Sequence, residues 1–522
     1  MARRKQRRFF NTAGPCRPEL HYTVDSLPRL HGVEELIDHE QYFILHAPRQ
    51  TGKTTYLYAL MHKLNREGRY SALQVNIQAA ASGRDVDQAM QIVAGALFRA
   101  SERHLPVEEQ PDDPGPVPAF SAAGSLEGYL TRWTRNNPKP IVLFIDEADS
   151  LFDDLFLALL RQLRAGFEAR PEAFPQSVAL VGLRDVRDYK IRIRPENASL
   201  GTGSPFNIKS KSFFMMGFTR QEVDSLLDQH TEETGQEFSL PVRDEIWRLC
   251  QGQPWLTNAL SHQIVAEVLH NDFSQEITLE HVIRAREALI QQRDTHLDSL
   301  VDKLREPQIA LVVRAIINGK MTDYDTFDDA AVYAHDLGLI TKGNPVRFAN
   351  PIYQEIVPRV MAAGFERGIP TDFTDQSWYI TEGCLDMDAL LKSFQEFYRE
   401  NSEAWLEKYD FREVGRQLLL MAFLQRILNS GGRIEREMAV GNGRCDLVVF
   451  YGPDRFVLEL KIKRTATDRD RGIKQLLRYL DRLGRSQGYL LLFENDDTLP
   501  WEQRLQWETI EEQGKRITLV GM

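Results

Sequence analysis

The sequence predicts an α/β protein, with a parallel sheet covered by helices in the first part of the chain and a second, smaller α/β domain at its end. Two observations carry this. Between residues 41 and 183, apolar runs of buried-strand length alternate with helical patterns, the order that produces a helix-covered parallel sheet. In the last 110 residues or so, one helix, three strand patterns, a second helix and a further strand follow in the order α-β-β-β-α-β.

The elements follow in sequence. "QYFILHAP" is the first strand, and "TTYLYALMHKLNREG" is a helix closed by Gly68. "YSALQVNIQ" is a second strand. "LPVEEQPDDPGPVPAF", residues 105–120, is rich in proline and acid and reads as a flexible surface loop. "KPIVLFIDEAD" and "SVALVGL" are buried strands, and "FFMMGF" reads as the last strand of this sheet. From Thr219 to about Leu304 the pattern is helical. Glu306 to about Met361 offers helices, then "DLGLITKGNPVRFANPIY", a short strand pair turning at Gly343 and Asn344. "GIPTDFTDQS" is a linker, and no internal repeat is visible.

With 522 residues, 42% hydrophobic and 27% charged, the chain can bury several cores. No window approaches the roughly 20 apolar residues of a membrane span, and the N-terminus lacks a signal-peptide core, so the expectation is a cytoplasmic protein without a membrane partner. Cys16, Cys250, Cys384 and Cys445 lie far apart without a C-x-x-C pair and read as reduced thiols. The net charge of −11 speaks against nucleic acid only if it is evenly spread. It is not: MARRKQRR holds Arg3, Arg4, Lys5, Arg7 and Arg8, and Arg455 to Arg485 holds ten Lys/Arg against four acids. The first cluster is either a solvated tail or a phosphate contact.

"HAPRQTGKTT" ends a strand and opens a helix, the setting in which the spacing G-x-x-x-x-G-K-[ST] cradles phosphate. Ala47 stands where the first glycine usually does. Backbone N–H groups along Ala47, Arg49, Gln50, Thr51, Gly52 and Thr55 can wrap a phosphate, Lys53 can neutralise it, and Thr54 can ligate Mg²⁺. A second half lies in "IVLFIDEAD", where Asp146 would hold Mg²⁺ through water and Glu147 would polarise the attacking water at a strand's C-terminal edge.

Residues 20 to 300 thus resemble the AAA+ and STAND groups of P-loop ATPases, which implies ATP and Mg²⁺ as cofactors. "GQPWL" is similar to the G-x-P motif of STAND lids, implying nucleotide contact by Gly252 and Pro254; a plain helix-start turn is the rival. After "SVALVGL" come Arg184, Arg187, Lys190, Arg192 and Arg194. The resemblance implies γ-phosphate sensing by Arg184 or Arg187, with a DNA-facing or a solvated loop as alternatives. The region 306–361 resembles a winged helix, either DNA-binding or a packing module.

In "RFVLELKIKR" alternation puts Phe456, Leu458, Leu460 and Ile462 on one face and Val457, Glu459, Lys461 and Lys463 on the other. If "GRCDLVVFYGPD" forms a hairpin with it, Asp446 and Glu459 converge at one end. Two such carboxylates repel unless a cation separates them, and an oxygen-rich site suits Mg²⁺ or Mn²⁺. This region resembles the PD-(D/E)XK nuclease superfamily. The motif lands on Asp446 and on Glu459-Leu460-Lys461; Gln475 and Tyr479 match the Q-x-x-x-Y helix of RecB-like members, and Cys445 replaces the motif's proline. The resemblance implies metal ligation by Glu413, Asp446, Glu459 and Leu460, water activation by Lys461, and DNA contact by Lys463, Gln475 and Tyr479.

The chain therefore divides into a basic arm (1–30), a P-loop ATPase core (31–218), a helical lid (219–304), a winged-helix-like domain (305–365), a linker (366–377) and a nuclease domain (378–522). The function expected is an ATP-regulated, metal-dependent DNA endonuclease, by analogy in prokaryotic defence. The alternative is a nucleotide-switched regulatory ATPase whose nuclease fold binds DNA without cutting. A homo-oligomer and an activating partner stay open.

Overall fold

Strands that lie inside a parallel sheet are covered on both faces, so nearly every position must be apolar. That holds for β1 (Tyr42–His46), β3 (Ile141–Asp146) and β4 (Ser177–Gly182), of which β3 and β4 are buried throughout, whereas β2 (Ser71–Asn76) also buries Ser71 and Gln74, which bond to Glu109 and Asp146. The computed structural model describes residues 7–115, 125–151, 153–183, 209–292, 295–317, 321, 323–366, 379–381, 384–409, 416, 419–421, 423–424, 432–440, 443–463, 467–494 and 499–522. With β5 (Lys209–Phe214) the first sheet has the order β2-β3-β4-β1-β5, all parallel. One face is covered by α1 (Val33–Asp38) and α2 (Lys53–Glu67), the other by α3 (Val86–His104), α4 (Ser125–Asn136) and α5 (Asp153–Ala165). Gly68 closes α2 at φ 77°, where only glycine is relaxed.

Two expectations need correction here. The last strand lies earlier than "FFMMGF": it begins at Lys209 and ends at Phe214, with the Met215 N–H donating to the His46 carbonyl at 3.0 Å. As an edge strand, its Lys-Ser-Lys-Ser start carries little apolar signal. The described part of the expected loop, residues 105–115, is pinned rather than flexible. The carboxylate of buried Glu109 accepts from Ser71 Oγ (2.7 Å) and Lys139 Nζ (2.5 Å), and its carbonyl accepts from Trp133 Nε1 (3.0 Å). Residues 116–120 lie outside the described residues.

The helical segment comprises α6 (Arg220–Thr234), α7 (Leu240–Cys250), α8 (Pro254–His262), α9 (Leu279–Gln292) and α10 (Thr295–Leu304). A capping box starts α6, with Thr219 Oγ1 accepting from Glu222 N–H and the Glu222 carboxylate accepting from Thr219 N–H. The basic arm is not a solvated tail from Arg8 onward. Phe10 is buried edge-on to Tyr22 at 4.9 Å and near His230 and Phe238, and Arg8 pairs with Glu233 at 3.0 Å. Apolar ring burial here decides the path of the chain, and its charges pair at the rim.

The chain divides into two compact units, Met1–Val312 with Asp323–Ile352, and Val313–Thr322 with Tyr353–Met522. The helices α11 (Pro307–Ile317), α12 (Asp329–Asp336) and α13 (Pro351–Glu366) are present, but the stretch 305–365 is not a unit of its own. Its expected strand pair reduces to one antiparallel bridge, Ile340 to Phe348. Within the first unit, Gly338 (φ 72°) seats on the phosphate loop so closely that a Cβ would lie 2.7 Å from Pro48 Cγ. The His335 ring stands 5.0 Å from Phe214, which in turn stands 5.3 Å from His46.

The second unit holds a small pair, β6 (Ile380–Thr381) and β7 (Cys384–Leu385), the helix α14 (Met387–Tyr409), and a six-stranded sheet. Its members are β8 (Gly432–Val440), β9 (Gly443–Tyr451), β10 (Asp454–Lys463), β11 (Gln487–Glu494), β12 (Trp507–Glu512) and β13 (Lys515–Gly521), with α15 (Thr467–Arg482) between β10 and β11. The order is β12-β13-β11-β10-β9-β8. "GYLLLF" is thus not the last strand; β13 pairs parallel to β11, and the polar edge strand β12 lacks the alternation that would announce it. In β10 the alternation is as expected: Leu458 enters one core with Phe456, Leu460 and Ile462 against it, and Val457 enters the core that α15 covers. Among the described residues no helix is long and apolar enough to cross a membrane.

Candidate functional site

In the first unit the phosphate loop runs from the end of β1 into α2. Gln50 (φ 57°) and Gly52 (φ 92°) take left-handed conformations that curl the loop, and Lys53 begins the helix. Buried Lys53 donates from Nζ to the carbonyls of Ala47 (2.9 Å) and Pro48 (3.0 Å), and Thr51 Oγ1 to that of Pro48 (2.9 Å). Burial holds the Lys53 ammonium below its ordinary pKa, against the pull of Glu147, Asp146 and Asp149. Across the loop, Thr54 Oγ1 donates to Asp146 Oδ2 at 2.8 Å, and Gln74 Nε2 to the same oxygen at 3.3 Å. This hydroxyl–carboxylate pair at a strand end and helix start is a fitting donor set for Mg²⁺.

Glu147 itself is left-handed (φ 56°), which turns its side chain off the line of β3. Burial, then Asp149 and Asp146, raise its carboxyl above the usual range, and burial raises that of Asp146. Asp149 accepts from the Leu183 N–H at 2.8 Å and so fixes the end of β4. Arg184 and Arg187 lie outside the described residues.

A cavity of about 450 Å³ opens at this loop, lined by Arg49, Gln50, Gly52, Lys53, Thr54, Thr55 and Glu147, and by Pro254 from α8. Sequence reasoning missed its other wall, the N-terminal stretch from Asn11 to Ser26. Cys16 N–H donates to Thr55 Oγ1 (3.1 Å), Trp255 Nε1 to the Thr12 carbonyl (2.8 Å), and Gln229 Nε2 to the Thr23 carbonyl (2.8 Å). Arg29 was missed too. Largely buried, it pairs with Glu222 (3.7 Å), lies over the Phe218 ring (5.2 Å) and donates to the Thr51 and Met216 carbonyls. Only the repeated aromatics Phe9, Phe10 and Tyr22 signalled that this arm is folded. Pro254 starts α8 and lines the cavity, whereas Gly252 is not among the residues that line it. Gly252 (φ 73°) accepts from the Phe218 N–H at 2.6 Å, and a Cβ there would fall 2.0 Å from the Phe218 carbonyl oxygen.

In the second unit β9 and β10 form a hairpin in which Leu447 faces Leu458, which brings Asp446 beside Glu459. Asp446 Oδ2 accepts from the Leu460 N–H at 2.8 Å. Glu459 is 0% exposed; Oε1 accepts from Lys461 Nζ at 2.6 Å, and Oε2 is buried with no hydrogen-bond partner. Burial, with the Asp446 charge added, pushes the Glu459 carboxyl up to about 7. Burial alone would lower the Lys461 ammonium, but the charge and hydrogen bond of Glu459 outweigh it and hold it above its ordinary value. Lys463 points to Glu494 (2.9 Å), and Gln475 Nε2 donates to the hydroxyl of buried Tyr479 (2.9 Å). Glu413 lies outside the described residues. Among those described, no cluster of three or more His, Cys, Asp or Glu forms a metal site. The unpartnered Oε2 beside a second carboxylate nevertheless fits a divalent cation.

Residues 30–357 match the AAA-like domain family. Among solved structures, the chain is similar to a Walker-type ATPase of Pyrococcus abyssi at 14% identity, with a TM-score of 0.47, covering 67% of this chain and 99% of that one. It is also similar to the ORC2 protein of Aeropyrum pernix (13% identity, TM-score 0.37, 66% and 98% covered). The RuvB Holliday junction branch migration motor of Thermotoga maritima follows at 13% identity and TM-score 0.34, with 62% and 91% covered. No curated protein matches it.

Proposed function

Since the chain belongs to the AAA-like domain family and is a nucleotide-binding ATPase of P-loop type, we propose that ATP occupies the cavity at the phosphate loop and gates a nucleic-acid phosphodiesterase site in the second unit. In the first unit Lys53 exchanges the Ala47 and Pro48 carbonyls for phosphate oxygens, Thr54 and Asp146 hold Mg²⁺, and the raised carboxyl of Glu147 takes a proton from water. Arg184 or Arg187 senses the γ-phosphate.

In the second unit the single observation that carries the reading is Glu459, fully buried with an unpartnered oxygen beside Asp446 and under Lys461. Lys461 pairs one oxygen, but a second carboxylate oxygen left buried without a hydrogen bond costs stability, so stability alone does not account for it. Mg²⁺ or Mn²⁺ held there by Asp446, Glu459 and Leu460, with Glu413 as a further ligand, supplies Lewis-acid charge to a phosphodiester. Lys461 orients the attacking water, and Lys463, Gln475 and Tyr479 meet the DNA backbone. The alternative, DNA binding without cutting, is favoured by the two rather than three carboxylates among the described residues. Mn²⁺-dependent nicking of supercoiled plasmid by the wild type, lost in Glu459→Ala, supports cutting; nicking by neither protein overturns it.

Coupling has a physical basis in Pro48, whose carbonyl accepts from Lys53 and whose ring carries Gly338. Gly338 belongs to a segment, Asp323–Ile352, flanked in sequence on both sides by stretches of the second unit. A nucleotide that draws Lys53 away changes what holds Pro48, a two-state element of the kind that switches use. On this reading ATP binding activates the nuclease and hydrolysis resets it, in prokaryotic defence.

A further inference from the structure

We infer that the solvent face of α15 is the track along which the second unit holds the backbone of duplex DNA. This deepens, and rests on, the reading of Asp446 and Glu459 as a phosphodiesterase site. Arg471, Lys474, Arg478 and Arg482 are all exposed, at spacings of three, four and four residues. Such spacing stacks them on one face of the helix over roughly 16 Å. The other face is spoken for: Ile473, Leu476, Leu477 and Leu480 are buried under it.

The stripe is tied to the site by the helix itself. Gly472 presses onto β10 and β11, where a Cβ would lie 3.2 Å from Lys461 Cγ and 2.8 Å from Leu490 Cδ1. Gln475 and Tyr479, each one residue on from a stripe cation, bond to each other at 2.9 Å. On the helical wheel Gln475 and Tyr479 fall between the stripe and the face on which Gly472 meets Lys461, so these two side chains link the stripe to the site.

Charge argues that the stripe is more than a solvated face. The protein as a whole is acidic, at −11, so four cations in line on one helix run against its average. The ends of the stripe have local carboxylates: Arg471 lies 3.6 Å from Asp468, while Asp481 is 3.6 Å from Lys515. At its centre, among the described residues, no carboxylate pairs with Lys474 or Arg478. Two adjacent unneutralised cations on a rigid helix suit a polyanion with regularly spaced charges, and phosphate contacts of this kind position a duplex without reading its sequence.

The test is the salt dependence of binding of the full chain to a fluorescent DNA duplex, comparing wild type with Lys474→Ala/Arg478→Ala. Each lost phosphate contact lowers the slope of log affinity against log salt by about 0.9, so the double variant loses about 1.8. The fall in affinity between 50 and 200 mM salt then shrinks by roughly twelvefold. Both residues are exposed, so thermal unfolding and ATP turnover should match the wild type. An unchanged slope overturns the track, as does tighter binding of an RNA duplex than of DNA. Plasmid nicking run alongside separates the two readings. A wild type that cuts, with a dead Glu459→Ala and an unchanged slope in the double variant, removes the track and keeps the nuclease. A reduced slope without any cutting keeps the track and removes the nuclease.

Discussion

Replacing Glu459 with Gln removes the ionisable group on which the second unit's site turns, and its size can be worked from the structure. The Glu459 carboxyl is moved from an ordinary 4.5 to about 7 by burial and by Asp446. Cations bind the ionised form, so each one bound must release whatever proton the carboxyl carries. With a pKa of about 7 the wild type should release about 0.9 proton per cation at pH 6, about 0.5 at pH 7 and about 0.1 at pH 8. Calorimetric titration of Mn²⁺ in two buffers of different ionisation enthalpy measures this directly, with Glu459→Gln as the difference. A release that does not fall between pH 6 and 8, or that survives in Glu459→Gln, would falsify the assignment. Stability changes in the matching direction. A carboxyl whose folded pKa is raised contributes stability below its unfolded value near 4.5 and loses it as pH rises through about 7, by about 3 kcal/mol at most. Without cation, Glu459→Gln should therefore resist unfolding better than wild type at pH 8 and no better at pH 4.5.

Lys53→Ala should abolish ATP turnover and weaken nucleotide binding; unchanged turnover would show that the phosphates lie elsewhere. Glu147→Gln should bind ATP as the wild type does and stall, since Thr54, Asp146 and the loop are untouched. Normal hydrolysis in that variant removes Glu147 as the base. Gly252→Ala forces a left-handed residue into contact with the Phe218 carbonyl, costing about 1–2 kcal/mol for the backbone alone and more for the clash. A lowered unfolding temperature with weakened ATP affinity is expected, and wild-type values for both would mean that the Phe218–Gly252 contact does not hold the lid.

What the sequence disclosed and what it hid divide along locality. β1, β3 and β4 were legible because a buried parallel strand has to be apolar at nearly every position, and β2 because Ala72, Leu73 and Val75 sit between two helical patterns. Asp146 and Glu147 were legible because they close such a run, and Asp446 and Glu459 because a two-residue turn fixes their hairpin. The N-terminal wall of the cavity was not legible. Phe10 and Tyr22 find their partners His230 and Phe238 more than 200 residues away, and nothing local announces that. Glu109 looked like part of an acidic loop until Ser71, Lys139 and Trp133 gathered around it. Arg29 stood at the edge of a basic arm, and only the fold turns it into a buried bolt between Thr51, Phe218 and Glu222. β12 escaped because an edge strand of Trp-Glu-Thr-Ile-Glu-Glu carries no apolar face of its own, while β13 is a buried apolar run that the order α-β-β-β-α-β left out. The seating of Asp323–Ile352 within the first unit brings Gly338 against Pro48 and His335 against Phe214, contacts that periodicity does not register.

The measurement that tests the central claim most directly is nicking of supercoiled plasmid in Mn²⁺, without nucleotide, with ADP, and with a non-hydrolysable ATP analogue. Wild type should cut fastest with the analogue. Glu147→Gln should cut as well as or better than wild type in ATP, and Asp446→Ala should not cut while keeping full ATPase activity. Equal cutting in all three nucleotide states would contradict the account, because the ATP site would then have no hold on the phosphodiester site.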